Sequence, residues 1–135
     1  MAFRAGRQAI VTVAGTDISA SLSQADVGVT GGTGETTTFG ASWQTFLATL
    51  LVGTCSLSGY YDPTASTGPA AVLVTAITGL AAVAVVVKPG GSTTGQRSAS
   101  FSAILTGYSE SAPVGGIVTF TCSMTPTSTV TYTTL

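Results

Sequence analysis

The chain has 135 residues and a mass of 13.3 kDa, which suits one domain with a single core and is short for two. Four basic and five acidic residues make up 7% of it, for a net charge of -1, against roughly 25% charged residues in an ordinary soluble domain. Four scattered cations cannot build the basic stripe that nucleic-acid affinity needs, and the absence of histidine excludes Ser-His and Cys-His nucleophile pairs and His-based zinc sites.

The opening residues 1–8 place Arg4 and Arg7 before an apolar run, as a leader would. That run is short and is broken by Gly15, Thr16 and Asp17, so no signal peptide is read here. Residues 8–14 alternate and predict a first strand, turned back at Gly15-Thr16. Residues 17–24 alternate again, with Ile18, Ala20 and Leu22 on one face and Ser19, Ser21 and Ser23 on the other, which predicts a half-solvated antiparallel strand.

Residues 25–40 lack a period and hold Gly28, Gly31, Gly32 and Gly34. They read as a long loop or flexible arm, whose only large apolar residues are Val27, Val29 and Phe39. Trp43, Phe46 and Leu47 suggest a short helical turn. Residues 51–62 predict a long strand with Leu51, Cys55, Leu57 and Tyr61 on one face.

Residues 69–87 form a 19-residue window without a charge, close to the length of a membrane span. Pro69 at its start, Gly79 near its middle and the lack of a flanking basic cluster argue against insertion. Its first half predicts a helix with Thr67 as N-cap, Pro69 in the first turn, and Val72, Ala76 and Ile77 on one side. Its second half, residues 80–87, is β-branched and closed by Lys88-Pro89-Gly90-Gly91, the pattern of a buried strand running into a turn.

Residues 90–95 read as a loop. Residues 98–110 predict a strand with Ala99, Phe101, Ala103 and Leu105 inward. Residues 112–116 form a hairpin connection. Residues 117–124 are the clearest strand, with Val118, Phe120, Cys122 and Met124 facing one way and Thr119, Thr121 and Ser123 the other. Pro126 breaks it, and residues 129–133 can add an edge strand. The total is about seven mainly antiparallel strands and one helix, with no repeat. The 25 Thr and 15 Ser fit such a β-rich domain with a hydroxyl surface, and a mean hydropathy of +0.53 argues that it is folded.

Catalytic chemistry finds no support. Asp62 and Glu110 are isolated, so no paired-carboxylate site is drawn, and five dispersed acids do not resemble a calcium loop. The glycines of residues 28–34 lack GxGxxG spacing and no Lys-Ser/Thr follows, so no phosphate cradle is read. Cys55 has no partner base. Two cysteines are a poor disulfide framework: two buried thiols are the reading for a cytosolic chain, with a single bridge as the alternative. Tyr60 and Tyr61 could stack on a sugar but read better as a core-and-rim pair. Lys88 and Arg97 solubilise strand ends or pair across subunits. The expectation is a protein with no enzymatic activity, no metal and no cofactor.

Glu-Thr-Thr-Thr-Phe-Gly (35–40), a short amphipathic stretch and the strand Thr-Cys-Ser-Leu-Ser-Gly-Tyr-Tyr-Asp (54–62) resemble the major tail tube proteins of long-tailed, siphovirus-like bacteriophages. The opening strand followed by Asp17-Ile18-Ser19, and Gly-Gly-Ile-Val-Thr-Phe-Thr (115–121), fit the same pattern over nearly the whole chain. The chain departs from it in its scarcity of acids and in stopping soon after the last strand. The resemblance implies a mainly β, antiparallel sandwich or half-barrel with one flanking helix, formed by residues 1–135 as a single tail-tube domain. It implies a structural virion protein whose rings, usually hexameric, stack into a tube through which the genome passes without specific DNA binding. The implied partners are further copies of the chain, with tape-measure, tail-terminator and distal tail proteins. The implied location is the virion tail, after assembly in the bacterial cytoplasm, with no membrane insertion. Residues 25–48 would be a flexible assembly arm, with Val27, Val29, Glu35, Thr37, Phe39, Trp43 and Phe46 at contacts between subunits or rings. A second reading is a secreted or surface β-sandwich that binds carbohydrate or a protein receptor; such a domain is expected to carry a leader. A third is a decoration or head-tail joining protein, which would share the composition but not the 35–62 pattern.

Overall fold

A computed structural model of the chain describes residues 5–64 and 68–135. The leader-like opening at residues 1–4 and the expected cap Thr67 lie outside the described residues. The elements run β1 (Ile10–Val13), β2 (Thr16–Asp17), β3 (Leu22–Glu35), β4 (Phe46–Tyr60), α1 (Pro69–Thr78), β5 (Val83–Lys88), β6 (Arg97–Ser111), β7 (Thr119–Pro126) and β8 (Thr131–Thr134). Every strand pairing is antiparallel, in the order β2-β1-β5-β6-β7-β4-β3, with β8 pairing β6. Both β7 and β8 lie antiparallel to β6, the first along Ala103 to Ser111 and the second along Arg97 to Ser100. The sheet curls so that β1 and the start of β3 border one cleft, lined by Ala9 and Val11 on one side and Leu22 and Ala25 on the other. The result is the expected β-sandwich or half-barrel with one flanking helix.

Its concave side holds one core. Val11, Val13, Val85, Val87, Phe101, Ala103, Leu105, Phe120, Cys122, Met124, Cys55 and Leu57 meet there, and Val72, Leu73 and Ala76 of α1 close over them. The alternation read in β5, β6 and β7 does this directly, because period-2 strands put every second side chain on one face. Helix α1 buries Pro69, Ala70, Val72, Leu73 and Ala76, an i, i+3, i+4, i+7 stripe. Pro69 occupies its first turn as expected, and Gly68 is the N-cap.

Three expectations are corrected. Residues 17–24 are not one strand. The Asp17 carboxylate accepts the Ser19 N–H at 2.9 Å and the Ser19 hydroxyl, while Ser19 Oγ accepts the Val11 N–H at 2.8 Å. These local bonds offer the backbone a turn in place of a ladder. The chain makes a 3₁₀ turn at Ser19–Ser21, and Ile18 drops into the core at its edge. The hydrogen bonds from Ser19 also hold the Asp17 carboxyl below the usual carboxylate range.

Residues 25–40 are not a loop up to Glu35: they continue β3, a 14-residue strand paired with β4. The expected helical turn at Trp43, Phe46 and Leu47 is absent, and Phe46 and Leu47 open β4. Glycine removed the period from one strand of the hairpin, and its partner supplied the pairing surface.

Gly59 marks the closest backbone approach. A Cβ there would strike the Ser21 carbonyl oxygen and lie 2.8 Å from Leu22 Cα. Gly59→Ala should therefore destabilise the fold by about 1–3 kcal/mol. Gly107→Ala, where a methyl group meets open space, should stay within about 0.5 kcal/mol. Chemical denaturation of the two variants checks this.

Cys55 and Cys122 are free and buried. They sit diagonally on the core face, Leu57 opposite Cys122 and Cys55 opposite Met124. Burial pushes the Cys55 thiol up to about 12, helped by the Cys122 and Asp26 charges, and burial alone pushes Cys122 up to about 11. Both thiols stay protonated in the fold at pH values where the unfolded chain ionises them. The unfolded state then binds fewer protons, so stability falls as pH rises from about 9 to about 11, by at most about 1.4 kcal/mol per unit per thiol. Replacing both cysteines with alanine should flatten that alkaline slope in denaturation curves. In the parent protein, thiol reagent at pH 8 should react only after denaturant is added, with two groups per chain.

Candidate assembly surface

Strand β4 is longer than the sheet that holds it. Its inner part, Cys55 to Tyr60, pairs with β7 on one side and β3 on the other. Its outer part, from Phe46, pairs with β3 alone. The outer hairpin thus projects as an arm beyond the core. It departs where Gly53 lies against Pro126 and Val130, each with an atom 2.9 Å from the place a Cβ would occupy. Val29, Leu51 and Val52 on the arm and residues 126–130 on the body line a cleft at this base.

The arm carries one charged residue, Glu35, and apolar side chains on both faces. Directly opposed residues share a face, which places Thr33 with Ala48 and Glu35 with Phe46 on one side and Thr30 with Val52 and Gly34 with Leu47 on the other. The register shifts between Gly31 and Thr33, leaving an extra residue in β4 and sharpening the local bend. Gly32 allows Thr49 to lie across it, since a Cβ would sit 2.5 Å from Thr49 Oγ1. Threonines tie the neck of the end loop: Thr36 N–H donates to the Thr45 carbonyl at 2.8 Å and Thr45 N–H to Thr37 Oγ1 at 3.0 Å. The Thr36 and Thr45 hydroxyls bond at 2.9 Å.

The expected contact residues separate on this geometry. Val27 stands opposite Cys55 and is partly buried against the chain's own core. Val29 is half exposed at the cleft. Thr37 holds the loop neck, and Glu35 sits exposed opposite Phe46. Phe39 is fully exposed, Trp43 is 80% exposed, and Phe46 is more than half exposed. Sequence reading missed Leu47, Leu50 and Leu51, of which the last two are more than three-quarters exposed. The apolar run Phe46 to Val52 was visible in the sequence, but a run of that kind looks the same whether it enters a core or leaves it.

No group of three or more His, Cys, Asp or Glu side chains is placed to hold a metal among the described residues. Tyr108 donates to Glu110 at 2.9 Å, and burial together with that bond raises its pKa. No helix among the described residues is long and apolar enough to cross a membrane.

No protein-family model matches the sequence, and no curated protein matches it. Solved structures do share its fold. A chain in the virion of a native gene transfer agent particle superposes with a TM-score of 0.80 at 10% identity, spanning 97% of this chain and 99% of that one. The fold is that of this virion chain. A chain of the tail of an empty gene transfer agent particle, refined with helical C6 symmetry, superposes with a TM-score of 0.69 at 13% identity over 84% of this chain and 82% of its own length. The tube-terminating cap of the anti-feeding prophage superposes with a TM-score of 0.77 at 14% identity, over 100% of this chain and 93% of that chain. Gene transfer agent tails and a prophage tube cap thus share this architecture at identities where only shape is retained.

The arm should be separable from the fold. Replacing residues 31–51 with Asn-Gly, to join the opposed pair Thr30 and Val52, should preserve the β-rich circular dichroism spectrum and shift Tm by only a few degrees. A collapse of the spectrum would mean that the arm supports the core.

Proposed function

We propose that this chain is a non-enzymatic structural protein of a phage-type tail, assembling through copies of itself into stacked rings that form a tube. Rings of six are the proposed unit, and the lumen is the proposed path of the genome. The observation that carries this reading is the arm, which has Glu35 as its one charged residue and exposes aromatic and leucine side chains on a domain whose fold recurs in tail assemblies. An exposed apolar surface of this kind marks an interaction site, and a net charge of -1 gives copies little reason to repel. Residues 25–48 act as the assembly arm of the single domain, with Val29, Phe39, Trp43 and Phe46 in contact with a neighbouring copy. The scarcity of cations suits a conduit, because a wall that held many phosphates would retard the passing genome. Tape-measure, tail-terminator and distal tail proteins are the proposed further partners, the virion tail the final location, and the bacterial cytoplasm the site of assembly.

Negative-stain microscopy of the purified protein should show rings or tubes. Phe39→Ala with Trp43→Ala should leave the circular dichroism spectrum unchanged and reduce the mass of sedimentable polymer by about tenfold, as expected for loss of aromatic anchors. A parent protein that stays monomeric at high concentration would sink this reading and favour a surface binding module.

A further inference from the structure

The arm is not the only hairpin that exposes apolar side chains, and the register fixes where a second one lies. The β6–β7 connection pairs Ser111 with Thr119 across its neck, and Thr119 also stands opposite Tyr60 at the end of β4. Tyr61 N–H donates to the Val118 carbonyl at 3.0 Å, tying the chain beyond β4 to this connection. The tip presents Val114, fully exposed, and Ile117, 69% exposed, with Tyr60 half exposed alongside. The arm's end loop adjoins Phe46, the first residue of the same strand. Two apolar features therefore stand at opposite ends of β4, about 45 Å apart for a strand of 15 residues.

We propose that the β6–β7 tip of one copy is the docking partner of the arm of the next, in a head-to-tail contact between stacked rings. This rests on the tube-forming reading above and specifies which surfaces meet. Area commits the arm to a macromolecular occupant. Phe39, Trp43 and Phe46 alone leave on the order of 400–500 Å² open, and Leu47, Leu50 and Leu51 extend that toward the roughly 800 Å² per partner of a stable interface. Position commits it to a second copy in one orientation. Arm against arm would be an isologous contact, which closes as a pair and stops growth. Arm against tip is heterologous and leaves a free arm at one end and a free tip at the other, so it continues. Neither feature carries a cation, and Glu35 and Glu110 are the nearest acids in sequence, so the contact depends on apolar fit.

Complementation of two blocked variants tests this. One carries Val114→Asp and Ile117→Asp, the other Leu47→Asp and Leu50→Asp; all four positions are exposed, and circular dichroism confirms that each variant folds. Each alone should lose about tenfold or more of its sedimentable polymer relative to the parent. Mixed in equal amounts, they should recover one interface, read by mass photometry as a species of twice the mass of either variant's own assembly, and no long tubes. Tubes formed by the tip variant at parental yield would overturn the proposal and leave the tube reading standing. A doubled species formed by the tip variant alone would show arm-to-arm pairing and overturn it too. A parent protein that never polymerises would overturn both.

Discussion

The structure depends on a mismatch of strand lengths. Strand β4 has 15 residues and its neighbour β7 has eight, and the two pair only from Cys55 to Tyr60. The paired part faces the core and is buried at Cys55 and Leu57. The unpaired part keeps a single partner, β3, and must leave the body with it. An isolated two-stranded hairpin is marginally stable in water, so this one needs either anchoring at its base or a partner at its end. The base supplies part of that, where Gly53 admits Pro126 and Val130 against the hairpin. The exposed Phe39, Trp43, Leu50 and Leu51 are the surface on which the proposed neighbour would supply the rest.

The low charge of the chain has a related consequence. Ser and Thr occupy much of the solvent face of the sheet, with Ser56 opposite Ser123, Ser58 opposite Thr121, and the Ser109 and Thr121 hydroxyls bonded at 2.6 Å. Such a face is hydrated without long-range attraction or repulsion. In the proposed contacts between copies, specificity then falls to shape and to a few apolar anchors, the most exposed aromatic of which, Phe39 and Trp43, stand on the arm. The core face stays as apolar as in any small domain, and its two thiols remain protonated because burial disfavours the thiolate.

Local sequence determined the central body. In β5, β6, β7 and the inner half of β4, alternation of apolar and hydroxyl residues is a direct record of which face is buried, and helix α1 is written in Pro69 and in the spacing of Val72 and Ala76. The resemblance at residues 35–62 pointed to the fold that the tail structures share. Tertiary structure alone decided the fate of residues 17–35. The alternation of residues 17–24 was real, but the Asp17 carboxylate captured Ser19 and turned the chain. Residues 25–35 carried no period because glycines replaced one strand's side chains, yet they are a strand, since β4 offered a complete hydrogen-bonding edge. The same limit applies to the arm: periodicity reports that a residue is apolar and which way it faces, whereas burial depends on where the neighbouring strand stops.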